Sequence, residues 1–258
     1  MSALPAPDEA DPERRFGGLR RLYGDAGYAR LRAARVAVIG VGGVGSWVAE
    51  ALARSGVAAL TLIDLDQVSE SNINRQVQAL GGTLGQAKVQ ALRERIAQIH
   101  PGCRVHTVEE FVEPDNWPGL LPEPVDALVD ACDQVRAKAV LAAWALAGAL
   151  PFVSVGAAGG KRRAQAVEVD DLAAVTHDPL LASLRQRLRQ HHGAARQGAV
   201  GLRCVFSREP VRGPDGACEV DGSLNCHGYG SAVSVTATFG FVAAGEIIEG
   251  LVIRDAQT

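Results

Sequence analysis

Three charged residues, Arg75, Lys88 and Asp133, are of the types that bind and activate a nucleoside triphosphate. The two cations would neutralise phosphate oxygens, and the carboxylate would bind Mg²⁺. Each residue also has a plain structural alternative: Arg75 as a surface charge, Lys88 as a solvated helix residue that pairs with a neighbour, and Asp133 as the N-cap of the next helix. Because all three lie in segments that follow predicted strands, together they favour triphosphate chemistry.

A glycine-rich loop precedes these residues. Its sequence is Gly40-Val41-Gly42-Gly43-Val44-Gly45. Between a strand and a helix, such a loop lets backbone N–H groups and the helix N-terminus approach phosphate. Asp64, at the end of the next apolar run, is placed to accept ribose hydroxyls. The loop alone would indicate a nicotinamide or flavin enzyme, which is the first rival hypothesis, but the charged residues downstream count against it.

Short β-rich runs alternate with longer helical runs up to residue 155. The sequence predicts strands at Val36–Gly40, Ala59–Asp64, Arg104–Val108, Val125–Asp130 and Pro151–Val155. It predicts helices at Ser46–Arg54, Gln86–Ile99 and Arg136–Ala149. This alternation predicts an α/β fold with a Rossmann-like, doubly wound, mostly parallel sheet, whose ligands lie at the carboxyl ends of the strands.

Composition narrows the class of protein. The 258 residues are 47% hydrophobic and carry a net charge of -3, so one domain with a large core is expected and nothing global indicates nucleic acid. The five cysteines contain no Cys-x-x-Cys pair, which argues against a disulfide framework and against structural zinc. A reduced, cytoplasmic setting is therefore predicted.

The chain divides into three predicted parts. Residues 1–13 are a disordered lead-in, residues 14–160 a nucleotide-binding domain, and residues 161–258 a C-terminal extension of that domain. The extension is predicted to contain an edge strand at Gln165–Val169, a basic helix near Leu180–His192 and a strand at Arg203–Ser207. The uncharged stretch Ser231–Gly245 is shorter than the roughly 20 residues that cross a bilayer, which favours a buried or subunit-interface helix over a membrane span.

The chain resembles the ThiF/MoeB/HesA family of adenylating enzymes, relatives of the ubiquitin-activating enzymes. The matching motifs are the glycine loop, Asp64-x-Asp66, the block from Ser69 to Gln76, Gly85-Gln86-Ala87-Lys88, and Asp130-Ala131-Cys132-Asp133. The resemblance implies an ATP site formed by Gly40, Gly42, Gly43, Gly45, Asp64, Asp66, Asn72, Arg75, Gln76 and Lys88. It implies that Arg75, Lys88 and Asp133 take part in catalysis, with Asp133 as the Mg²⁺ ligand.

The same resemblance implies a homodimer in which an N-terminal arginine of one subunit reaches the triphosphate of the other. Arg21 is the candidate, although Arg14, Arg15 and Arg20 lie close by. The implied cofactors are ATP and Mg²⁺. A monovalent cation is a further candidate, and no zinc is expected. Sulfur-carrier activators of the family have two Cys-x-x-Cys pairs for zinc, and their absence here makes a small protein substrate less favoured.

The distal segments resemble one branch of the family, the tRNA threonylcarbamoyladenosine dehydratases. The resemblance runs from Arg14 to Ala244 and includes Cys204-Val205-Phe206-Ser207 and the run that begins Ser223-Leu224-Asn225-Cys226-His227. It implies ATP-dependent activation of a threonine carboxylate next to the tRNA anticodon, followed by ring closure with loss of water. Cys226 and His227 would belong to the substrate pocket, and the equal alternative for His227 is a structural role in a turn beside Gly228. Packing is the favoured role of Cys204 and Cys226, with a thiol role or contact with a sulfur-transfer partner as the alternative.

A tRNA substrate requires basic residues outside the ATP site. Arg185 and Arg189 share one stripe of the predicted basic helix, and Lys161 and Arg162 form a second cluster. The alternative is an ordinary solvated face. Two other functions stay open: activation of a ubiquitin-like or sulfur-carrier protein, and a nucleotide-binding docking protein for a cysteine desulfurase or sulfur-acceptor system.

Overall fold

The computed structural model describes residues 10–211 and 229–253. Its strands are β1 Arg35–Ile39, β2 Ala59–Ile63, β3 Arg104–Val108, β4 Ala127–Asp130, β5 Phe152–Val155, β6 Val167–Asp171 and β7 Arg203–Ser207. Its helices are α1 Pro12–Phe16, α2 Gly18–Ala33, α3 Gly45–Arg54, α4 Lys88–Ile99, α5 Val135–Ala147, α6 Pro179–His191 and α7 Val233–Ile253. The predicted strands and helices up to residue 207 agree with these bounds to within about two residues.

The seven strands form one sheet with the order β3-β2-β1-β4-β5-β7-β6. All neighbouring strands are parallel except β6 and β7, which are antiparallel, so β6 is an antiparallel edge strand. Strand β1 pairs with β2 on one side and with β4 on the other. The strand order reverses here, and in such sheets this switch point is where ligands bind. The predicted α/β fold class is confirmed.

Helices cover both faces of the sheet. Side chains from α3, α4 and α7 pack on one face and form a core with Val36, Val38 and Leu62. Side chains from α5 and α6 pack on the other face around Ile39 and Leu128. Strands that are buried on both faces have almost continuous apolar sequences, which is why the sequence shows β1, β2 and β4 clearly.

The C-terminal helix α7 lies against α3, the helix that follows the glycine loop. At Gly240 the two helices approach so closely that a Cβ would lie 2.7 Å from the Cβ of Trp47 and 2.8 Å from the carbonyl oxygen of Val44. Helix α7 is long and apolar enough to cross a membrane, but half of this segment is buried within the protein. The prediction of a buried helix therefore agrees with the packing.

The N-terminal helices were not predicted from the sequence. Helix α1 begins at Pro12, and the Asp11 side chain caps it by accepting hydrogen bonds from the backbone N–H groups of Glu13 and Arg14. Residues 12 and 13, assigned to the lead-in, are therefore helical, whereas residues 1–9 lie outside the described part. Both helices are mostly polar, so apolar periodicity gives little signal; the buried ring of Phe16, 4.7 Å from that of His100, anchors α1.

Candidate nucleotide-binding site

Two glycines of the loop after β1 are required by close backbone contacts. Gly40 has φ of +80°, and a Cβ there would lie 2.9 Å from the carbonyl oxygen of Ala131. A Cβ on Gly45 would lie 1.8 Å from the carbonyl oxygen of Gly40. The loop therefore folds back on itself against the end of β4, which no residue with a side chain would allow. Gly42 and Gly43 are less confined, and Gly43 faces the aliphatic part of Arg75.

Asp64 lies directly after β2 and joins the glycine loop to that strand. Its carboxylate accepts hydrogen bonds from the backbone N–H groups of Val41, at 2.8 Å, and Asp66, at 2.9 Å. Burial raises the pKa of Asp64, against the opposing effects of Lys88 and of these two N–H groups. Because each carboxylate oxygen can accept a second hydrogen bond, Asp64 can still receive ribose hydroxyls.

Lys88 is the first residue of α4 and is buried, with 4% of its surface exposed. Its Nζ lies 2.7 Å from Oδ2 of Asp66. A cation at a helix N-terminus opposes the helix dipole, and its burial adds a desolvation cost. The alternative of a solvated helix residue is wrong. Asp66 lies shortly after β2, and Lys88 begins α4 at the end of the segment that follows. A phosphate bound here could share the Lys88 ammonium with Asp66.

Arg75 lies across the glycine loop and is held at both its ends. Its Nη1 donates to the carbonyl oxygen of Ser71 at 2.7 Å and to Oδ1 of Asn74 at 3.0 Å. Its own carbonyl oxygen accepts a hydrogen bond from Nε1 of Trp47 at 2.9 Å. The backbone at Arg75 is therefore tied to α3, which positions the guanidinium beside Gly43. No pattern in the sequence indicates this role of Trp47.

Asn72 is almost fully buried and keeps one donor unused within the described residues. Its Oδ1 accepts a hydrogen bond from the N–H of Ser69 at 3.1 Å, but its Nδ2 has no partner there. An unsatisfied buried donor costs about 1–3 kcal/mol, so its retention fits a ligand acceptor such as a phosphate oxygen. Gln76 is also buried, and its Oε1 accepts a hydrogen bond from Gln78.

Asp133 follows β4 and is exposed. The N-cap residue of α5 is Gln134, and no side chain caps this helix, so the N-cap alternative for Asp133 is wrong. Within the described part of the chain, no group of three or more His, Cys, Asp or Glu side chains could hold a metal ion. A single carboxylate is nevertheless enough for Mg²⁺ when phosphate oxygens and water complete its shell.

A buried charge network lies behind Asp133. Lys138 on α5 and Asp130 at the end of β4 form an ion pair of 3.0 Å, and both side chains are 0% exposed. Ser154 on β5 donates to the same carboxylate at 2.7 Å, and Lys138 also donates to the carbonyl oxygen of Val155 at 2.7 Å. The network joins β4, β5 and α5 beneath the turn that carries Asp133. The one sequence signal for this network is Lys138 itself, a lysine inside the otherwise apolar, Ala-rich part of α5.

The described cysteines are poor nucleophiles. Burial raises the pKa of Cys132 and Cys204, and it raises that of Cys103 to about 12. The thiol of Cys132 donates to Oδ1 of Asp130 at 3.0 Å, so Cys132 takes part in the network of Asp130 and Lys138. Cys226 and His227, the predicted substrate-pocket residues, lie outside the described residues.

The predicted tRNA contacts divide into two kinds. Arg185 and Arg189 border a hollow beside α6, and Arg162 is exposed. Lys161, in contrast, is 2% exposed, and its Nζ donates to the carbonyl oxygens of His177, Ser207 and Glu209. An RNA phosphate cannot reach this ammonium, so the assignment of Lys161 to a surface cluster is corrected.

Of the four N-terminal arginines, only Arg21 has no hydrogen bond or ion pair to another described residue. Arg14 pairs with Asp11, Arg15 donates to the carbonyl oxygen of Ile99, and Arg20 pairs with Glu13 and Asp25. The Arg21 side chain is exposed on α2. Arg21 is therefore the one of these four whose guanidinium has no hydrogen bond or ion pair to other described residues.

A triphosphate-type site at the switch point of a mostly parallel sheet defines a Rossmann-like nucleotide-binding enzyme. The chain belongs to the ThiF family, whose model matches residues 17–257.

Three comparisons show how far the similarity extends. The tRNA threonylcarbamoyladenosine dehydratase of Escherichia coli K12 is 42% identical over 256 residues, covering 95% of this chain and 96% of that protein. The crystal structure of E. coli TcdA, that dehydratase, in complex with ATP matches with a TM-score of 0.84 and 43% identity, covering 93% of this chain and 94% of that one. The molybdopterin-synthase adenylyltransferase of E. coli K12 is 36% identical over 128 residues, covering 50% of this chain and 51% of that protein.

Proposed function

We propose that this chain is an ATP-dependent enzyme that dehydrates and cyclises threonylcarbamoyladenosine next to the tRNA anticodon. A carboxylate oxygen of the threonine part attacks the α-phosphorus of ATP, and pyrophosphate leaves. The carbamoyl group of the same nucleoside then attacks the activated carbonyl carbon, and AMP and a proton are released. Because the attacking group is tethered beside the carbonyl, ring closure has a high effective concentration and needs no protein nucleophile.

One observation carries the choice of substrate: identity to the dehydratase spans 95% of this chain, whereas similarity to the adenylyltransferase spans 50%. A shared activation step requires similar nucleotide-binding residues only. A shared tRNA substrate requires similarity in the rest of the chain as well. The raised pKa values of Cys103, Cys132 and Cys204 also disfavour a thioester on these thiols, as a protein-activating enzyme could use.

The proposed ATP site uses the glycine loop and Asp64 for the adenosine part. Asn72, Arg75 and Lys88 would bind the phosphates. Asp133 would hold Mg²⁺, since an exposed carboxylate beside the proposed triphosphate fits an ion that prefers one or two carboxylates plus phosphate oxygens. The ion supplies positive charge where negative charge accumulates on the departing pyrophosphate. A monovalent cation and a sulfur-transfer partner stay predictions.

We further propose a cytoplasmic homodimer in which Arg21 completes the partner's site. The exposed, unpaired Arg21 supports this, as does Phe241, which is 50% exposed on α7 and packs edge-on to Trp47 at 5.7 Å. Mixing Arg21→Ala and Asp133→Ala variants under exchange conditions tests the proposal. If Arg21 acts across the dimer, half of the dimers are mixed and each has one intact site, so about a quarter of wild-type activity returns. No recovery in a mixture shown to contain mixed dimers would contradict it.

The function is tested by incubating the protein with ATP, Mg²⁺ and tRNA that carries threonylcarbamoyladenosine. Mass spectrometry of the digested nucleosides should show loss of one water, and chromatography should show AMP and pyrophosphate. Asp133→Ala should abolish both products, whereas Asp115→Ala, which changes an exposed aspartate between β3 and β4 that is not assigned to the site, should retain them. If tRNA is unchanged but the protein adenylates a small protein ending in Gly-Gly, the carrier-protein alternative is correct.

A further inference from the structure

A cavity of about 450 Å³ lies between the segment before α6 and the segment after β7. Its lining includes Val175, Thr176, His177 and Pro179 from the first segment, which form one wall, and Pro210 and Val211 from the second, which form another. Its volume is within the range of small-ligand sites, and the walls combine apolar side chains with a few polar groups. The cavity lies beside β7, on the far side of β5 from the glycine loop.

The buried ammonium of Lys161 joins the two walls of this cavity. Its Nζ donates to the carbonyl oxygen of His177 on one side, at 3.0 Å, and to those of Ser207, at 3.0 Å, and Glu209 on the other. Burial of a lysine carries a desolvation cost that these three hydrogen bonds offset. These hydrogen bonds hold the two segments that line the cavity at a fixed distance from each other.

His177 is an exposed residue of the cavity lining and has a backbone conformation that non-glycine residues rarely adopt, with φ of +59°. The next residue, Asp178, fixes this conformation because its carboxylate accepts hydrogen bonds from the N–H groups of Leu181, at 3.0 Å, and Ala157, at 2.9 Å. The imidazole is exposed, with Nδ1 3.0 Å from Oγ1 of Thr176. Strained residues of this kind cluster at binding sites, and a flat ring can stack on a nucleobase.

A second hollow continues from the cavity along α6. The two share Ala182 and Arg185. The second hollow is lined by Ala182, Arg185, Gln186, Arg189, Gln190 and Arg196, so it contains three cations and no acidic side chain. Hydrogen bonds from Nη1 of Arg185 to the carbonyl oxygens of Leu172 and Val175, both 2.9 Å, hold this guanidinium where the two hollows meet. We call this second hollow the arginine groove.

We propose that the cavity is a base-binding subsite: one unstacked nucleobase of the RNA substrate enters between His177 and Pro210, while the arginine groove holds the adjoining phosphates. The positive groove selects a polyanion, and the apolar walls with an exposed ring suit a base. This inference rests on the proposed function, because it assumes that RNA is the substrate.

Ala182→Trp tests the proposal because Ala182 is exposed on α6 and borders both hollows, so an indole there would fill the entrance. We expect binding of an anticodon stem-loop RNA to weaken about tenfold or more, the size of a lost base-stacking contact. ATP affinity should not change. Ser183→Trp is the matched control, since Ser183 is the next exposed residue of α6 and borders neither hollow. It should bind RNA like the wild type.

His177→Gly is the second variant. Glycine adopts the observed φ without strain, so the protein should be at least as stable as the wild type, yet RNA binding should weaken because the ring is lost. His177 does not line the arginine groove, so His177→Gly should keep the wild-type salt dependence. Arg189→Ala should instead lower the slope of log affinity against log salt by about one.

A set of stem-loop RNAs, each with one abasic nucleotide, identifies the base. At one position the abasic RNA should bind the wild type about as weakly as the intact RNA binds Ala182→Trp, with no further loss when both changes are combined. The subsite is overturned if Ala182→Trp binds the RNA with wild-type affinity. It is also overturned if the losses from Ala182→Trp and from the abasic nucleotide add up at every position. If the wild type discriminates one abasic position but never dehydrates the nucleoside, the proposed function fails and the subsite stands.

Discussion

Replacing Lys138 with Met tests the buried network beneath the proposed Mg²⁺ ligand. Burial alone would lower the pKa of Lys138, but Asp130 and other neighbours raise it above its ordinary value, so the ammonium is charged in the folded protein. Met has a similar length without the charge. The variant leaves the Asp130 carboxylate in the core with two side-chain donors, the hydroxyl of Ser154 at 2.7 Å and the thiol of Cys132 at 3.0 Å.

Removing one partner of a buried ion pair typically costs about 3–5 kcal/mol. Because two donors to Asp130 remain, we expect the lower end of that range, about 3 kcal/mol. For a protein of this size that corresponds to roughly 6–12 °C in Tm. Adding Asp130→Asn removes the unpaired charge, so the double variant should recover at least about half of the lost stability.

Urea unfolding followed by tryptophan fluorescence measures the effect, since Trp144 lies on α5 and packs edge-on to Trp117 at 5.3 Å. The control is Arg203→Met, which breaks the exposed pair of Arg203 with Glu246 and should cost less than about 1 kcal/mol. The reasoning is refuted if Lys138→Met unfolds within about 1 kcal/mol of the wild type, or if the double variant is as unstable as the single one.

Three further predictions concern the site and its support. Asp133→Asn should lower turnover roughly a hundredfold or more while leaving Tm unchanged, because the exposed carboxylate has no hydrogen bond among the described residues; a large Tm loss would show a structural role instead. Arg75→Ala should weaken ATP binding more than AMP binding in calorimetry, since AMP lacks the β- and γ-phosphates; equal losses would place Arg75 elsewhere. Burial and Arg32 lower the pKa of His100 to about 4 in the folded protein, so His100 takes up a proton more readily when the protein is unfolded. Tm should therefore fall as the pH is lowered from 6.5 to 4, and it should fall less in His100→Gln.

The sequence could predict where the site lies because of the geometry of parallel sheets. Gly40, Asp64 and Asp130 each follow an apolar run, and the carboxyl ends of parallel strands meet at one edge. Hydrogen bonds between distant segments could not be predicted in this way. The bond from Trp47 to the carbonyl oxygen of Arg75 joins α3 to a loop 28 residues further on, and it depends on packing that no local pattern specifies.

The N-terminal helices show a second limit of sequence patterns. Helix α2 is kinked at Gly24 and has only three buried residues, so its apolar positions do not repeat with a helical period. Its place is set by long-range contacts instead, such as the hydrogen bond from Arg30 to the carbonyl oxygen of Val252 at the end of α7. Such contacts exist only once the core has formed.

Two buried lysines explain why charge was the least predictable property of this chain. A lysine in a sequence indicates a solvated or anion-binding side chain, because burial without partners is too costly. Lys161 has backbone carbonyl oxygens as its partners, and these carry no sequence signature. Lys138 has a carboxylate partner eight residues earlier, at the end of β4, which becomes its neighbour only when α5 packs on the sheet. Lys161, which the sequence assigned to RNA contact, instead holds residues next to the proposed base-binding subsite. Lys138, for which the sequence predicted no role, supports the turn that carries Asp133.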